Sequence, residues 1–293
     1  MLFRRWMAAL LIFLLFSGRA GAQEPGHIKD VVYAHKLGVA LTMDVFKPTK
    51  PNGIGVLWMV SGGWVSNHEG INAGLAKIFT DRGQTVFEVV HGSQPRFFLP
   101  EIIQDIHRSV RFIRTHASEY GVDPDRLGIS GGSAGGHLSL TMGSYGGPGD
   151  SNAKDPVERA SSAVQAVACF YPPTDFLNYG KPGVISLDDP TLIGYRHVFG
   201  VPLLETQEAK AAALRPLSPI YGISKRTPPT LIVHGEADTL VPIQQSERYL
   251  DKLKEQGVET KLERRPGKGH GWPGQEKDIV LLADWFDAHL GKK

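Results

Sequence analysis

The sequence predicts an α/β fold with a mostly parallel central sheet and helices on both of its faces. Short apolar runs alternate with amphipathic stretches, the order typical of parallel strands joined by helices. The run 54–60 is continuously apolar and leads into a serine and two glycines, as expected of a buried strand that enters a loop. With 293 residues and 41% hydrophobic content, the chain suffices for one large domain rather than two of ordinary size.

The first segment predicts export. Residues 1–5 are basic, residues 6–16 form an uninterrupted apolar run, and small residues follow at positions 20–22. The run is too short to span a bilayer comfortably. We therefore expect residues 1–22 to be a cleaved signal peptide and the protein to be secreted or periplasmic. An uncleaved N-terminal anchor is the alternative.

Cleavage would change the charge balance. The chain has 32 Lys and Arg against 30 Asp and Glu, and the segment 1–22 contains Arg4, Arg5 and Arg19 but no acid. The remaining 29 basic and 30 acidic residues give the mature chain a net charge near −1. This balance predicts no basic surface for nucleic acid and no polybasic stripe for a membrane, and it leaves the oligomeric state open.

The remaining elements follow the same alternation. Strands are predicted at 40–46, 54–60, 85–90, 126–129, 164–170, 230–233 and 259–262. Cys169, the only cysteine, lies in one of these runs and is expected to be buried. Amphipathic helices are predicted from Pro100 onward and close to the C-terminus, and residues 123–125 read as a turn. Between about 172 and 229 the pattern weakens, which predicts a cap-like excursion within a single domain spanning 23–293.

The segment 131–135, GGSAG, is the strongest functional signal. Small residues on both sides of Ser133 suit a sharp strand-to-helix turn, because larger neighbours would clash there. A strand pattern precedes the segment and a helix pattern follows it, so the helix dipole would favour negative charge at Ser133. The sequence predicts Ser133 as a nucleophile; a glycine-rich turn with an inert serine is the alternative.

A serine nucleophile needs a base and an orienting acid. Asp238 lies in a loop after the strand 230–233, and His270 lies in the glycine-rich loop 267–271 before the last helix. Both are expected at the carboxyl edge of the sheet, in the chain order nucleophile, acid, base. Asp175 is the competing acid, expected instead to cap a turn, and His234 is expected to be a packed structural residue.

The third predicted component is an oxyanion hole. A glycine turn follows the strand 54–60, where it can present backbone N–H groups. We expect the amides of Gly63, Trp64 and Ala134 to be the donors.

Together these segments resemble the esterase branch of the α/β-hydrolases. The similarity is greatest to the hormone-sensitive-lipase-like and BD-FAE-like (feruloyl and acetyl-xylan esterase) group. It rests on residues 62–64, 123–126, 131–137, 234–238 and 269–270. The resemblance implies an α/β-hydrolase fold and serine hydrolysis. It is much less informative about the substrate.

Two positions depart from the family pattern. The family usually has a histidine before its oxyanion glycines, where this chain has Ser61, and the segment 90–93 replaces its usual Tyr-Arg. A serine hydroxyl reaches only nearby groups. The hypothesis from sequence is therefore that Ser61 bonds the backbone of its own turn.

The predicted function is carboxylic ester hydrolysis through an acyl-enzyme. No cofactor is implied, and no Cys/His cluster suggests a metal. Export and the resemblance favour acyl groups on polysaccharides, or small esters, as substrates. A peptidase or amidase of the prolyl-oligopeptidase-like type, and a catalytically silent binding member of the fold, remain alternatives.

Overall fold

The computed structural model describes residues 26–200 and 206–292. Its strands are β1 (His27–Lys36), β2 (Val39–Phe46), β3 (Gly53–Met59), β4 (Thr85–Val89), β5 (Val122–Ser130), β6 (Ala166–Phe170), β7 (Thr230–Gly235) and β8 (Thr260–Arg265). Its α-helices are α1 (Ala73–Thr80), α2 (Leu99–Thr115), α3 (Ala134–Tyr145), α4 (Pro156–Arg159), α5 (Gln207–Leu214), α6 (Gln244–Glu255) and α7 (Ile279–Leu290). The predicted signal peptide, residues 1–22, lies outside the described residues.

The strands form one sheet in the order β1-β2-β4-β3-β5-β6-β7-β8. Pairing is antiparallel from β1 to β4 and parallel from β4 to β8. Every residue of β4, β6 and β7 is buried, because helices cover both faces of the sheet. The predicted α/β fold with a mostly parallel sheet is confirmed.

Two apolar cores lie on the two faces of the sheet. On β3 the adjacent residues Val56 and Leu57 belong to different cores, since successive side chains of a strand point to opposite faces. Val56 shares its core with Phe79 of α1 and α7 residues, and Leu57 shares its core with residues of α2, α3 and α6. Cys169 is buried on β6, as expected.

Two parts of the sheet differ from the sequence-based expectation. β1 is not predicted, because it is a partly exposed edge strand without a continuous apolar run. The predicted turn 123–125 lies inside β5, whose pairing with β3 skips from Val122 to Leu127. In the bulged stretch the amide of Asp125 donates to Oδ1 of Asp123 at 3.0 Å, so the local turn exists within the strand.

The connection from β6 to β7, residues 171–229, contains 3₁₀ segments, the longest Pro190–Phe199, together with α5 and irregular stretches; residues 201–205 are not described. Its residues Phe176, Phe199 and Leu217 are buried in the same core as α2 and α3. The connection therefore packs onto the sheet domain. Among the described residues, no helix combines the length and apolar character needed to cross a membrane.

Candidate active site

Ser133 lies at the turn between β5 and α3. Its backbone has φ 54° and ψ −117°, a sparsely populated positive-φ conformation that costs a residue with a side chain about 1–3 kcal/mol. A Cβ at Gly131 would lie 2.7 Å from the backbone of Gly135, and one at Gly135 would lie 2.7 Å from the carbonyl oxygen of Met59. The small residues around Ser133 are thus required by close backbone contacts.

The structure brings Ser133, His270 and Asp238 together. Nε2 of His270 lies 2.9 Å from Oγ of Ser133, and Nδ1 lies 2.8 Å from Oδ2 of Asp238. Because an ionised carboxylate only accepts hydrogen bonds, Nδ1–H donates to Asp238 and Nε2 is left to accept the Ser133 hydroxyl proton. This is the geometry that a serine, a base and an orienting acid require.

The Asp238 carboxylate is held in its ionised form. Burial alone would raise the pKa of Asp238, but hydrogen bonds from His234, His270 and the Val241 amide outweigh it and lower the pKa. Oδ1 accepts from the amides of Leu240 and Val241, both at 2.9 Å. The acid therefore remains charged and fixed in place beside His270.

His234 lies behind the acid. Its Nε2 is 2.8 Å from the carbonyl oxygen of Val241 and 3.3 Å from Oδ2 of Asp238. Since both neighbours of Nε2 are acceptors, Nε2 carries the proton, and Nδ1 accepts from Oγ of Ser246 at 2.7 Å. His234 is a packed, hydrogen-bonded residue, and it also contacts the predicted catalytic acid.

The competing acid Asp175 is occupied elsewhere. Its buried carboxylate accepts from the Tyr221 hydroxyl at 3.0 Å and from the Asn178 amide at 2.9 Å, and it pairs with Arg248 at 2.9 Å. It also accepts from the amide of Leu177, as a turn-capping aspartate does. These contacts tie the excursion to α6.

The oxyanion loop, residues 60–66, follows β3. Gly62 and Val65 bond each other reciprocally through their amides and carbonyls, at 3.0 and 2.9 Å. The intervening Gly63 and Trp64 have φ of 56° and 59°. Within the described part of the chain, the amides of Gly63, Trp64 and Ala134 have no hydrogen-bond acceptor. The N–H groups of all three predicted donors are therefore not engaged by a described backbone acceptor.

The Trp64 side chain anchors this loop beneath the excursion. The indole is buried among Phe176, Tyr195 and Phe199, with ring centroids 5.9–6.2 Å apart. Its Nε1 donates to Nδ1 of His137 at 3.3 Å, and Nε2 of His137 donates to a carbonyl of the excursion. Burial lowers the pKa of His137 to about 4, so the ring is neutral and serves as a structural link.

Ser61 does not bond its own turn, so the expectation of local bracing is wrong. Its Oγ lies 2.8 Å from Nε2 of His91, a buried residue that follows β4. The reason is the strand register. Met59 of β3 pairs with Val89 of β4, so Ser61 and His91 both lie two residues past the ends of adjacent parallel strands.

Tyr171 is a residue of the site that was not predicted from the sequence. It follows β6 with φ 34°, and its ring centroid lies 4.6 Å from that of His270. Its hydroxyl donates to Oε1 of Gln275 at 3.0 Å. The only sequence signal is an aromatic residue directly after a predicted strand, at the edge where the catalytic loops were expected.

A cleft of about 670 Å³ opens at Ser133. Its lining includes Val60, Gly63, Ser133, Tyr171, Leu240 and His270. Trp58 and Tyr195 contribute further aromatic surface to the lining. Among the described residues, no group of three or more His, Cys, Asp or Glu side chains is arranged to hold a metal ion.

Known proteins resemble this chain over most of its length. The BD-FAE family pattern matches residues 43–253. LipM, a probable carboxylic ester hydrolase of Mycobacterium tuberculosis, is 31% identical over 240 residues, which cover 78% of this chain and 52% of LipM. The chain spans about half the length of the curated relatives it matches.

Solved structures show the same fold. A truncated carbohydrate esterase from gut microbiota superposes with a TM-score of 0.75 at 23% identity, covering 90% of this chain and 95% of that one. A thermophilic esterase of Thermogutta terrifontis with bound butyrate superposes with a TM-score of 0.72 at 25% identity, covering 91% and 95%. The resemblance inferred from the motifs is confirmed. Since the matched span 43–253 takes in the oxyanion loop, Ser133 and Asp238, the chain belongs to the BD-FAE family of the α/β-hydrolase fold.

Proposed function

We propose that the protein is an exported carboxylic ester hydrolase that forms an acyl-enzyme on Ser133. The observation that carries this proposal is the hydrogen-bonded chain from Ser133 through His270 to Asp238, at a cleft that Ser133, His270 and Gly63 line. Membership of the BD-FAE family and the similarity to LipM, a probable carboxylic ester hydrolase, support it.

Acylation begins when Nε2 of His270 takes the hydroxyl proton of Ser133 and Oγ attacks the ester carbonyl carbon. The carbonyl oxygen becomes an oxyanion held by the amides of Gly63, Trp64 and Ala134. Asp238 stabilises the imidazolium. When the tetrahedral intermediate collapses, the alcohol leaves with the proton from Nε2, and the acyl group stays on Oγ.

Deacylation repeats these steps with water. His270 takes a proton from the water as its oxygen attacks the acyl carbon, and the same amides hold the second oxyanion. The proton on Nε2 then returns to Oγ of Ser133 as the carboxylic acid leaves. Each turnover therefore consumes one ester and one water and regenerates the enzyme.

The proposed substrates are short acyl groups on polysaccharides or on small alcohols. The structural relative from Thermogutta terrifontis carries butyrate. The cleft combines Trp58, Tyr171 and Tyr195 with polar backbone groups, which suits a small acyl group on a larger polar alcohol. Export of the protein, with cleavage after Ala22, would bring it to such substrates.

The test is a hydrolysis screen over p-nitrophenyl esters of increasing chain length, acetylated xylan and methyl ferulate, with peptide p-nitroanilides alongside. We expect turnover of short-chain esters, and a fluorophosphonate adduct on Ser133. Preferential cleavage of the anilides would instead favour the amidase alternative, and absence of both turnover and adduct would favour a binding protein. N-terminal sequencing of the exported protein should find Gln23 first.

A further inference from the structure

We infer that His91 is a positioning residue for the oxyanion loop and acts through its hydrogen bond to Ser61. This inference rests on the proposed function, because it assigns a role in the hydrolysis to the support beneath the loop. Ser61 lies at the start of the oxyanion loop, and its Oγ is 2.8 Å from Nε2 of His91, which follows the neighbouring strand β4.

The directions of the hydrogen bonds follow from the partners. Nδ1 of His91 lies 2.7 Å from the carbonyl oxygen of Gly92, which can only accept, so Nδ1 carries the proton. Burial lowers the pKa of His91 to about 4, so the ring is neutral at ordinary pH and Nε2 accepts. The Ser61 hydroxyl therefore donates to Nε2, and the bond holds the first residue of the glycine turn.

Two further residues of the segment 91–94 bond the same loop. Oγ of Ser93 donates to the carbonyl oxygen of Ser66 at 2.8 Å and accepts from the amide of Ser66 at 2.7 Å. Nε2 of Gln94 donates to the carbonyl oxygen of Gly63 at 3.4 Å. The segment 91–94 thus supports the loop at its start, its middle and its end.

The segment 91–94 is itself hydrogen-bonded to α2. The amide of Gly92 donates to Oδ2 of Asp105 at 3.2 Å, and Oδ1 of Asp105 pairs with Lys36 at 2.9 Å. A Cβ at Gly92 would lie 2.8 Å from the side chains of Asp105 and Phe97, so a larger residue there would force one of them to shift. His91 is therefore held from the packed interior through Gly92, in addition to the bond from its amide to Oγ of Ser66 in the loop.

The Ser61–His91 pair holds the loop and does not form a second nucleophile and base. Nδ1 of His270 donates to the carboxylate of Asp238, whereas Nδ1 of His91 donates to the neutral carbonyl oxygen of Gly92. A proton transferred from Ser61 would leave a buried imidazolium without a carboxylate partner, which is unfavourable. Its effect must therefore be exerted through the geometry of the Gly63 and Trp64 amides.

The test is a double-mutant cycle on kcat. We expect Ser61→Ala and His91→Phe each to lower kcat about tenfold with KM within twofold, a fraction of the roughly 10²–10³-fold loss on removing a whole oxyanion donor. The double variant should lose no more than the worse single variant, because both changes break one bond. Ser61→Thr, which keeps the hydroxyl, should stay within about threefold of wild type.

Inhibition by phenylboronic acid gives a second readout. The boronate forms a tetrahedral adduct on a serine and resembles the transition state. Its inhibition constant should rise in Ser61→Ala by about the factor by which kcat falls, while substrate KM does not change. A substitution that only loosened the fold would not raise the inhibition constant while leaving substrate KM unchanged.

The chain contains a matched control. Nδ1 of His107 lies 2.8 Å from Oγ of Ser162, and burial lowers the pKa of His107 to about 4, but neither residue lines the cleft. Ser162→Ala should lower Tm by a few degrees and leave kcat within twofold.

Three outcomes would overturn the inference: kcat within twofold of wild type in Ser61→Ala, fully additive losses in the cycle, or an equal kcat loss in Ser162→Ala. If His91→Phe does not fold, the kcat of the variants at the partly exposed Ser61 and their inhibition by phenylboronic acid still test the inference. Failure of the proposed function gives a different result. Wild type would then lack ester hydrolysis, or Ser133→Ala would retain it.

Discussion

Two serine–histidine pairs have their serines in the lining of the cleft, and they differ in the group that the second ring nitrogen of the histidine contacts. In the pair Ser133–His270 the second ring nitrogen donates to the ionised Asp238 at 2.8 Å. In the pair Ser61–His91 it donates to the carbonyl oxygen of Gly92 at 2.7 Å, and the ring is buried. The serine contacts are nearly equal, 2.9 and 2.8 Å. The third partner and the burial, rather than the serine contact, decide which pair can move a proton.

The largest expected effect comes from removing the reactive serine. Ser133→Ala should lower kcat for ester hydrolysis by roughly 10⁴–10⁶-fold, as loss of a triad nucleophile does. Because His91 has no carboxylate partner among the described residues, a fluorophosphonate probe should then label no residue, Ser61 included. Mass spectrometry of the treated variant checks this, and its far-UV circular dichroism should match wild type. An adduct on Ser61 would make the second pair reactive as well.

The next effect comes from neutralising the carboxylate. Asp238→Asn should lower kcat roughly 10⁴-fold, because an amide favours the wrong tautomer of His270. The matched control is Asp175→Asn, at a buried aspartate that bonds Tyr221 and Arg248 instead. It should lower the free energy of unfolding but leave kcat within a few-fold. A larger kcat loss in the control would reassign the acid.

A smaller effect should come from the aromatic neighbour of His270. Tyr171→Leu removes a ring whose centroid lies 4.6 Å from the imidazole and should lower kcat about fivefold, in line with roughly 1 kcal/mol for a cation–π contact to the imidazolium. Tyr171→Phe keeps the ring and loses only the bond to Gln275, so kcat should stay within about twofold. Equal losses in both variants would assign the effect to the hydroxyl.

The smallest expected effect on kcat comes from replacing a buried histidine, which should instead change how the free energy of unfolding depends on pH. Burial lowers the pKa of His91, His107 and His137 to about 4, below the usual value near 6.5 in an unfolded chain. Between these values the unfolded state binds more protons, so the free energy of unfolding should fall as pH falls from about 6.5 to 4.

Each of these histidines contributes up to about 3 kcal/mol to that total decrease in the free energy of unfolding. Urea unfolding of wild type and His107→Gln at pH 7 and pH 4.5 measures one such contribution, with kcat at pH 7 within twofold of wild type. An unchanged pH dependence in the variant would contradict the neutral, buried state of His107.

Much of the site could be predicted from local sequence. Gly131 and Gly135 flank Ser133 because a Cβ at either position would lie 2.7 Å from backbone atoms, and this requirement is visible as GGSAG. Asp238 and His270 follow predicted strands, so their place at one sheet edge was expected. β1 escaped prediction because an edge strand with mixed exposure has no continuous apolar run.

The sequence by itself determined the α/β fold, the order of the chemically active residues and the glycine turns that hold them, because each of these depends on neighbours along the chain. Only the tertiary structure decided what supports the oxyanion loop. Ser61 and His91 lie thirty positions apart and meet because Met59 pairs with Val89 across β3 and β4. Strand register depends on packing over both faces of the sheet, and a shift of one residue would turn every side chain to the other face. No pattern along the chain encodes that pairing.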